Sequence, residues 1–228
     1  MNILFPDVSF YQKEINFDTM KSKTDYIILR AGQKSWVDIQ FNRNKSECER
    51  LSIPYGIYWF YDDRDSPEAQ AQLCNSLIHG YKPLEIWCDW ENTYNGNYKG
   101  IKNVVTFMQE LERLSGMEVH MYTGYYWFME NTSTLLNFKQ LSYLKGKKLW
   151  LAAYTKTNAP IGEEYIKIPR PWTGMDIWQY GTPAIGKEYG VMTEEIDMNK
   201  RIGTQPIPPM FDNRKTIVRG GFTYEERK

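Results

Sequence analysis

The chain has 228 residues, 42% hydrophobic and 25% charged, which is ordinary for a globular protein and enough for one large α/β domain or two small ones. Its 28 basic and 28 acidic residues cancel, so no overall charge draws it to nucleic acid or to an anionic membrane. No apolar run is long enough to cross a bilayer, so membrane insertion is not expected.

The first strand is predicted at Ile3–Val8. The start of the chain, MNILFPDVSF, lacks the basic opening, long apolar stretch and small-residue cleavage site of a signal peptide. Any export is therefore expected to depend on something outside this sequence. Further strands are predicted at Tyr26–Ala31, Tyr55–Tyr61, Leu84–Trp90, Val119–Tyr122 and Leu149–Tyr154. Helical patterns separate them, at Phe41–Leu51, Pro67–Ile78, Ile101–Leu114 and about Thr134–Leu144. Ser66 is placed to cap the second of these, with Pro67 at its first position and Gly80 just beyond its end. Such alternation of strand and helix points to a parallel sheet or barrel. After Tyr154 the pattern changes: a Pro-containing loop leads to strands at Met175–Tyr180 and Glu194–Met198, read as antiparallel replacements for the last βα units. Pro206, Pro208 and Pro209 then mark the end of a domain over 1–205, leaving residues 206–228 as a tail. The three cysteines, Cys48, Cys74 and Cys88, lack metal-ligand spacing and are read as reduced structural residues.

In a parallel barrel, sites form where strands end and the following loops begin. Acidic residues recur at those ends: Asp7 closes the first predicted strand, Asp62 follows the third, Asp89 and Glu91 close the fourth, and Asp197 the last. One such carboxylate is commonly a harmless turn residue. Asp7, Asp89, Glu91 and Asp197 converging on one rim would raise one another's pKa and cost stability, which is the mark of a working site. Within Ile86–Trp87–Cys88–Asp89–Trp90–Glu91, alternation puts Asp89 and Glu91 on one face and Cys88 and Trp90 on the other. Their Cα atoms are then roughly 6.5–7 Å apart. That arrangement suits glycoside chemistry, in which one carboxyl gives a proton and a second group manages positive charge at the anomeric carbon.

Aromatic residues are unusually abundant, with 8 Trp, 17 Tyr and 10 Phe. Flat rings fill cores and also stack on the apolar faces of sugars. Tyr58 and Phe60 share a face, Phe60 being read as barrel filling. Tyr122, Tyr125, Tyr126 and Trp127 cluster around the end of the fifth strand, and Trp178 and Tyr180 flank Gln179. The two histidines, His79 and His120, offer no Ser–His or metal site; His79 is read as a surface residue and His120 as packed within its strand.

These residues together resemble a known family. Asp7–Val8–Ser9–Phe10–Tyr11–Gln12 is similar to the opening Asp-x-Ser-x-x-Gln signature of the Chalaropsis-type lysozymes, glycoside hydrolase family 25. The resemblance continues, in the family's order, through Leu29–Arg30–Ala31, Tyr55–Phe60, Asp89–Trp90–Glu91, Tyr122–Thr123–Gly124, Leu149–Tyr154, Trp178–Gln179–Tyr180 and Ile196–Asn199. It covers about residues 3–202. It implies an irregular TIM-like α/β barrel of five βα units followed by three strands, partly antiparallel. It also implies cleavage of the β-1,4 bond from N-acetylmuramic acid to N-acetylglucosamine, without metal or cofactor. By motif, Glu91 would be the general acid/base, Asp89 its ionised partner, and Asp7 and Asp197 the rest of the acidic cluster. Tyr58, Tyr122, Trp178, Gln179 and Arg30 would bind the glycan. Trp59 departs from the family, where many members have His; its outward position implies a change of packing only.

The implied partner is the glycan strand of bacterial peptidoglycan, with the tail as a further contact to a wall-binding module or another chain. A phage-type lysin, made in the bacterial cytoplasm and released through a holin or by lysis, is the expected setting. Two other functions compete: a wall-binding protein with a dead site, and a glycosidase of another N-acetylated polysaccharide such as chitin. The residues leave retention and inversion open, with participation of the substrate's own acetamido group as the favoured route.

Overall fold

The computed structural model describes residues 3–80, 83–132 and 138–203, and the backbone of 216–219 and 222–225. The strands are β1 (Ile3–Val8), β2 (Ile27–Gln33), β3 (Trp36–Val37), β4 (Tyr55–Phe60), β5 (Ile86–Asp89), β6 (Val119–Gly124), β7 (Leu149–Ala152), β8 (Ile177–Gly181) and β9 (Asp197–Arg201). Helices α1 (Phe17–Lys23), α2 (Phe41–Leu51), α3 (Pro67–Ile78), α4 (Ile101–Ser115), α5 (Tyr125–Thr132) and α6 (Phe138–Lys145) lie between them. A separate hairpin pairs β10 (Thr216–Arg219) with β11 (Phe222–Glu225).

The sheet runs β1-β9-β8-β7-β6-β5-β4-β2-β3, and β1 also pairs with β2, so it closes into a barrel with β3 as an appended edge. Five βα units are followed by β7, β8 and β9, as the resemblance implied. The neighbours from β1 through β2 and β4 to β8 are parallel, and β9 is antiparallel to both strands it joins. The sequence pattern suggested more reversal than this. The segment between β7 and β8 contains only a 3-10 turn, yet it is long enough to carry the chain back for a parallel pairing.

Local signals set most boundaries. The Ser66 hydroxyl accepts from the Ala69 N–H with Pro67 opening α3, and Gly116, with φ of 68°, ends α4 in the left-handed region. Helix α1 escaped the sequence pattern because it has only 7 residues; the Asn16 side chain caps it by accepting from the Thr19 N–H. The helix expected at Thr134–Leu144 corresponds to α6, and residues 133–137 lie outside the described residues, as do the prolines expected to end the domain.

Both faces of the barrel wall are buried. Outward side chains such as Leu29, Trp59, Cys88, Met121, Leu151 and Trp178 pack against the helices, meeting Phe41, Cys74, Phe107, Met108 and Leu111. Trp59 donates its indole N–H to Gln70 at 3.2 Å, so the departure from the family's His is a packing feature, as expected. Inward side chains form a second cluster of Phe5, Tyr26, Ile28, Trp87, Tyr122, Trp150 and Ile177, which fills the barrel with rings. His120 joins it against Trp87, and burial lowers its pKa to about 4, so it stays neutral. Below them, Arg201 makes two hydrogen bonds to Glu85, at 3.0 and 2.8 Å, and Lys148 and Tyr26 add further ones. Burial alone would push the Glu85 carboxyl up, but the Arg201 and Lys148 charges pull it down to about 2. Gly56 permits this seal, because a Cβ there would collide with the Tyr26 hydroxyl. With its lower half filled by rings, the barrel opens at its upper rim among the described residues.

Candidate active site

A cleft of about 490 Å³ opens at the C-terminal rim, and Asp7, Asp89, Glu91 and Asp197 all line it. Asp7 and Asp197 face each other across the antiparallel β1–β9 pair. The Ser9–Gln12 part of the opening motif is structural: Gln12 Oε1 accepts from the Ser9 N–H at 2.8 Å, closing a capped turn just beyond Asp7. Glu91 lies two residues past Asp89, beyond the end of β5. The extended path persists because the Trp90 N–H donates to the Tyr122 carbonyl and the Trp90 carbonyl accepts from Thr123. Trp90 is thereby held outward and Glu91 inward.

The two members of the pair differ in environment. Asp89 is 3% exposed, and its Oδ1 has no hydrogen-bond partner. Glu91 opens to solvent. Burial pushes Asp89 well above the usual carboxylate range, with the Glu91 and Asp7 charges adding and Arg30 opposing. Glu91 is also raised, first by its crowded surroundings and then by Asp197, while the contact from the Tyr122 hydroxyl, if it donates, and the Arg30 charge pull the other way. Asp7 is raised to about 8 by burial and by Asp197, although Asn199 and Gln179 donate to it at 2.8 and 2.9 Å. Asp197 is raised by burial, against a 3.0 Å hydrogen bond from Tyr154. In the protein alone this upward direction runs against the expectation that Asp89 stays ionised beside Glu91. Low solvent contact, and an Oδ1 without a hydrogen-bond donor among the described residues, favour the protonated form of Asp89.

Arg30 is the one cation among the residues lining this cleft. It sits beside a register shift of β2 against β4, between Arg30 and Gly32. Its guanidinium lies over the rings of Trp36, Phe60 and Phe10, at 4.9, 5.3 and 5.7 Å, and donates to Gln33. Gln33 in turn reaches Asp62 at 2.9 Å and the Tyr94 hydroxyl at 3.2 Å. Asp62 itself is fully buried and ion-paired with Arg64, so it supports the wall and stands apart from the acidic cluster.

The aromatic expectations divide. Tyr58 lines the cleft, and so does Phe60, which was read as filling. Tyr122 offers only its hydroxyl, since its ring packs 4.4 Å from Trp150. Gln179 also lines the cleft, but both ends of its amide are committed to protein, to Tyr122 and Asp7, so it organises its neighbours. Trp178 is corrected outright. It is 0% exposed, on the outer face of β8, with its indole N–H on the Ala153 carbonyl at 2.8 Å. Tyr125 and Trp127 pack against the outer core, while Tyr126 is exposed. Residues that sequence reasoning missed include Tyr11, Gln33, Tyr94, Trp150, Tyr154 and Asn199. Trp150 and Asn199 carried a signal, each at an inward position within a family motif. Tyr94 carried none, because it sits on a loop fixed by bonds from Thr93, Tyr94 and Gly96 to Asp63.

Among the described residues no group of His, Cys, Asp and Glu is arranged to hold a metal, and all three cysteines are free and buried. Carboxyls with raised pKa values, in a groove walled with rings, are the equipment of acid-assisted glycoside cleavage. Glycoside hydrolase is the class that this fold and site define. Residues 6–186 match the Glycosyl hydrolases family 25, and the chain belongs to that family, the lysozymes that its motifs resembled. It is thus a muramidase-type peptidoglycan hydrolase.

Solved structures share the fold. The catalytic domain of endolysin Ply40 from bacteriophage P40 of Listeria monocytogenes is 18% identical with a TM-score of 0.70, covering 88% of this chain and 93% of that one. For the bacterial lysozyme from Streptomyces coelicolor the values are 21% and 0.70, covering 89% and 93%. For the spore cortex lytic enzyme SleM of Clostridium perfringens they are 26% and 0.70, covering 88% and 67%. A comparison with curated protein sequences finds no match.

Proposed function

We propose that the chain hydrolyses the β-1,4 bond from N-acetylmuramic acid to N-acetylglucosamine in bacterial peptidoglycan, with Glu91 as general acid and then general base. The observation that carries this reading is the unequal pair at the end of β5: Glu91, raised in pKa and open to the cleft, beside buried Asp89. An acid with its pKa near the working pH is the efficient proton donor to a leaving oxygen. The glycan strand enters along the rim, with Tyr58, Phe60 and Tyr94 as ring contacts and Arg30 as a donor to substrate oxygens.

The second group is the substrate's own acetamido oxygen, which attacks the anomeric carbon while Asp89 accepts the acetamido N–H. Asp89 has no protein donor on Oδ1, so a substrate N–H supplies what the fold does not, and that bond favours its carboxylate form. Water then opens the oxazolinium ring as Glu91 takes its proton, giving net retention. Likeness to a phage endolysin domain supports a lysin released to the wall through a holin or by lysis.

Glu91→Gln keeps shape and removes the transferable proton, so turnover should fall about 100- to 10,000-fold while folding survives. Mass spectrometry of digested peptidoglycan reads the bond cleaved. New reducing ends on N-acetylmuramic acid support the proposal; ends on N-acetylglucosamine, or no cleavage by the intact protein, refute it. NMR showing the inverted anomer as first product would remove the acetamido route.

A further inference from the structure

The hydrogen bonds behind Glu91 have a fixed direction that can be followed from one group with no choice. The indole N–H of Trp150 can only donate, and it lies 2.8 Å from Asn199 Oδ1. That contact sets the orientation of the Asn199 amide, so its Nδ2 donates to the Phe5 carbonyl at 3.2 Å and to Asp7 Oδ2 at 2.8 Å. Asp7 Oδ2 accepts that bond. Gln179 approaches the same oxygen at 2.9 Å and does so with its Nε2, which turns Gln179 Oε1 towards Tyr122. The Tyr122 hydroxyl stands 2.8 Å from that oxygen and 3.3 Å from Glu91 Oε2. A phenol has one hydrogen, and a carbonyl oxygen has none to give.

We infer that Asn199 and Gln179 act through Tyr122 as positioning residues for the proton donor: they commit the Tyr122 hydrogen to Gln179, so the hydrogen between Tyr122 and Glu91 belongs to Glu91. This rests on the reading of Glu91 as the acid and explains how its proton is kept in place. The Tyr122 oxygen accepts from the protonated carboxyl, which favours the neutral form. Once Glu91 has passed its proton to the leaving oxygen, the carboxylate faces a lone pair in place of a donor. That mismatch favours recovery of a proton from the water that attacks the anomeric carbon, its hydroxide going to carbon and its proton to Glu91. No group is consumed, and Tyr122 and Gln179 finish as they began.

The alternative, a Tyr122 hydroxyl that donates to Glu91, would stabilise the carboxylate and shift Glu91 in the opposite direction. The two arrangements are separated by sign. Other groups facing the cleft also titrate or carry charge: Asp7 from β1, Arg30 from β2, Tyr58 from β4, Asp89 at the end of β5, Tyr154 beyond β7 and Asp197 from β9. All are retained in each variant, so the reading is taken from differences between variants. The measurements are a carboxyl-carbon NMR titration of Glu91 and the basic limb of the pH profile of kcat/KM. Tyr122→Phe keeps the ring and should move both downwards by roughly 0.5 to 1 pH unit, the scale of one hydrogen bond. Gln179→Met frees the Tyr122 hydrogen to turn on Glu91 and should move them further down. A Tyr122→Phe limb that stays or rises overturns the relay, provided Glu91→Gln has collapsed turnover. A Glu91→Gln variant that keeps its activity overturns the acid assignment, and the relay with it.

Discussion

Trp178 lies on the outer face of β8 with no exposed surface, edge-on to Tyr180 at 5.9 Å, and its indole N–H satisfies the Ala153 carbonyl at 2.8 Å. Truncating it to Ala removes a whole bicyclic ring from a packed interior. Loss of a buried aromatic costs about 3–5 kcal/mol through transfer and cavity terms together. The Ala153 carbonyl also loses its donor, which adds roughly 1 kcal/mol. A total of about 4–6 kcal/mol is a large share of the 5–15 kcal/mol that holds a domain together. Urea unfolding followed by far-ultraviolet circular dichroism measures the loss as a lowered midpoint at unchanged slope. Below the unfolding transition, Trp178→Ala should retain KM for soluble glycan fragments, because the ring does not touch the cleft. A sugar-stacking residue would show the reverse pattern. A stability loss under about 1 kcal/mol with a large rise in KM would show that Trp178 faces the substrate and that the assigned face of β8 is wrong.

The acidic cluster makes stability depend on pH. Asp7, Asp89, Glu91 and Asp197 bind protons more tightly folded than unfolded, so their contribution is fully present below the unfolded values near 3.8–4.5 and is lost as pH rises, through about 8 for Asp7. The melting temperature should therefore fall from pH 5 to pH 8, and Asp7→Asn, which keeps an oxygen for Asn199 and Gln179 without titrating, should flatten that fall. A variant whose curve runs parallel to that of the parent would show that Asp7 does not carry the dependence. Truncation after Gln205 should leave hydrolysis of soluble fragments nearly intact, since every described residue lining the cleft lies before it. Failure of the shortened chain to fold would place the tail on the barrel; reduced activity on whole walls alone would support a binding role for it.

The sequence by itself determined the alternation of strands and helices, because periodicity and caps such as Ser66, Pro67 and Gly116 act over a few residues. It also determined that Asp89 and Glu91 share a face, since side chains alternate along any strand. What it left open was which face lies inside. Trp178 and Gln179 both stood out, yet adjacent strand residues point opposite ways, and only one of them reaches the cleft. Both surfaces of this barrel wall are buried, so hydrophobicity does not separate them, and a Trp fits either side. Tertiary structure alone brought Asn199, Gln179 and Tyr122 into one directed chain, from three strands. It also decided that the Asp89 pKa moves upwards. A carboxyl's charge state depends on burial and on charges gathered from β1, β2 and the end of β5, and those distances exist only once the barrel has closed.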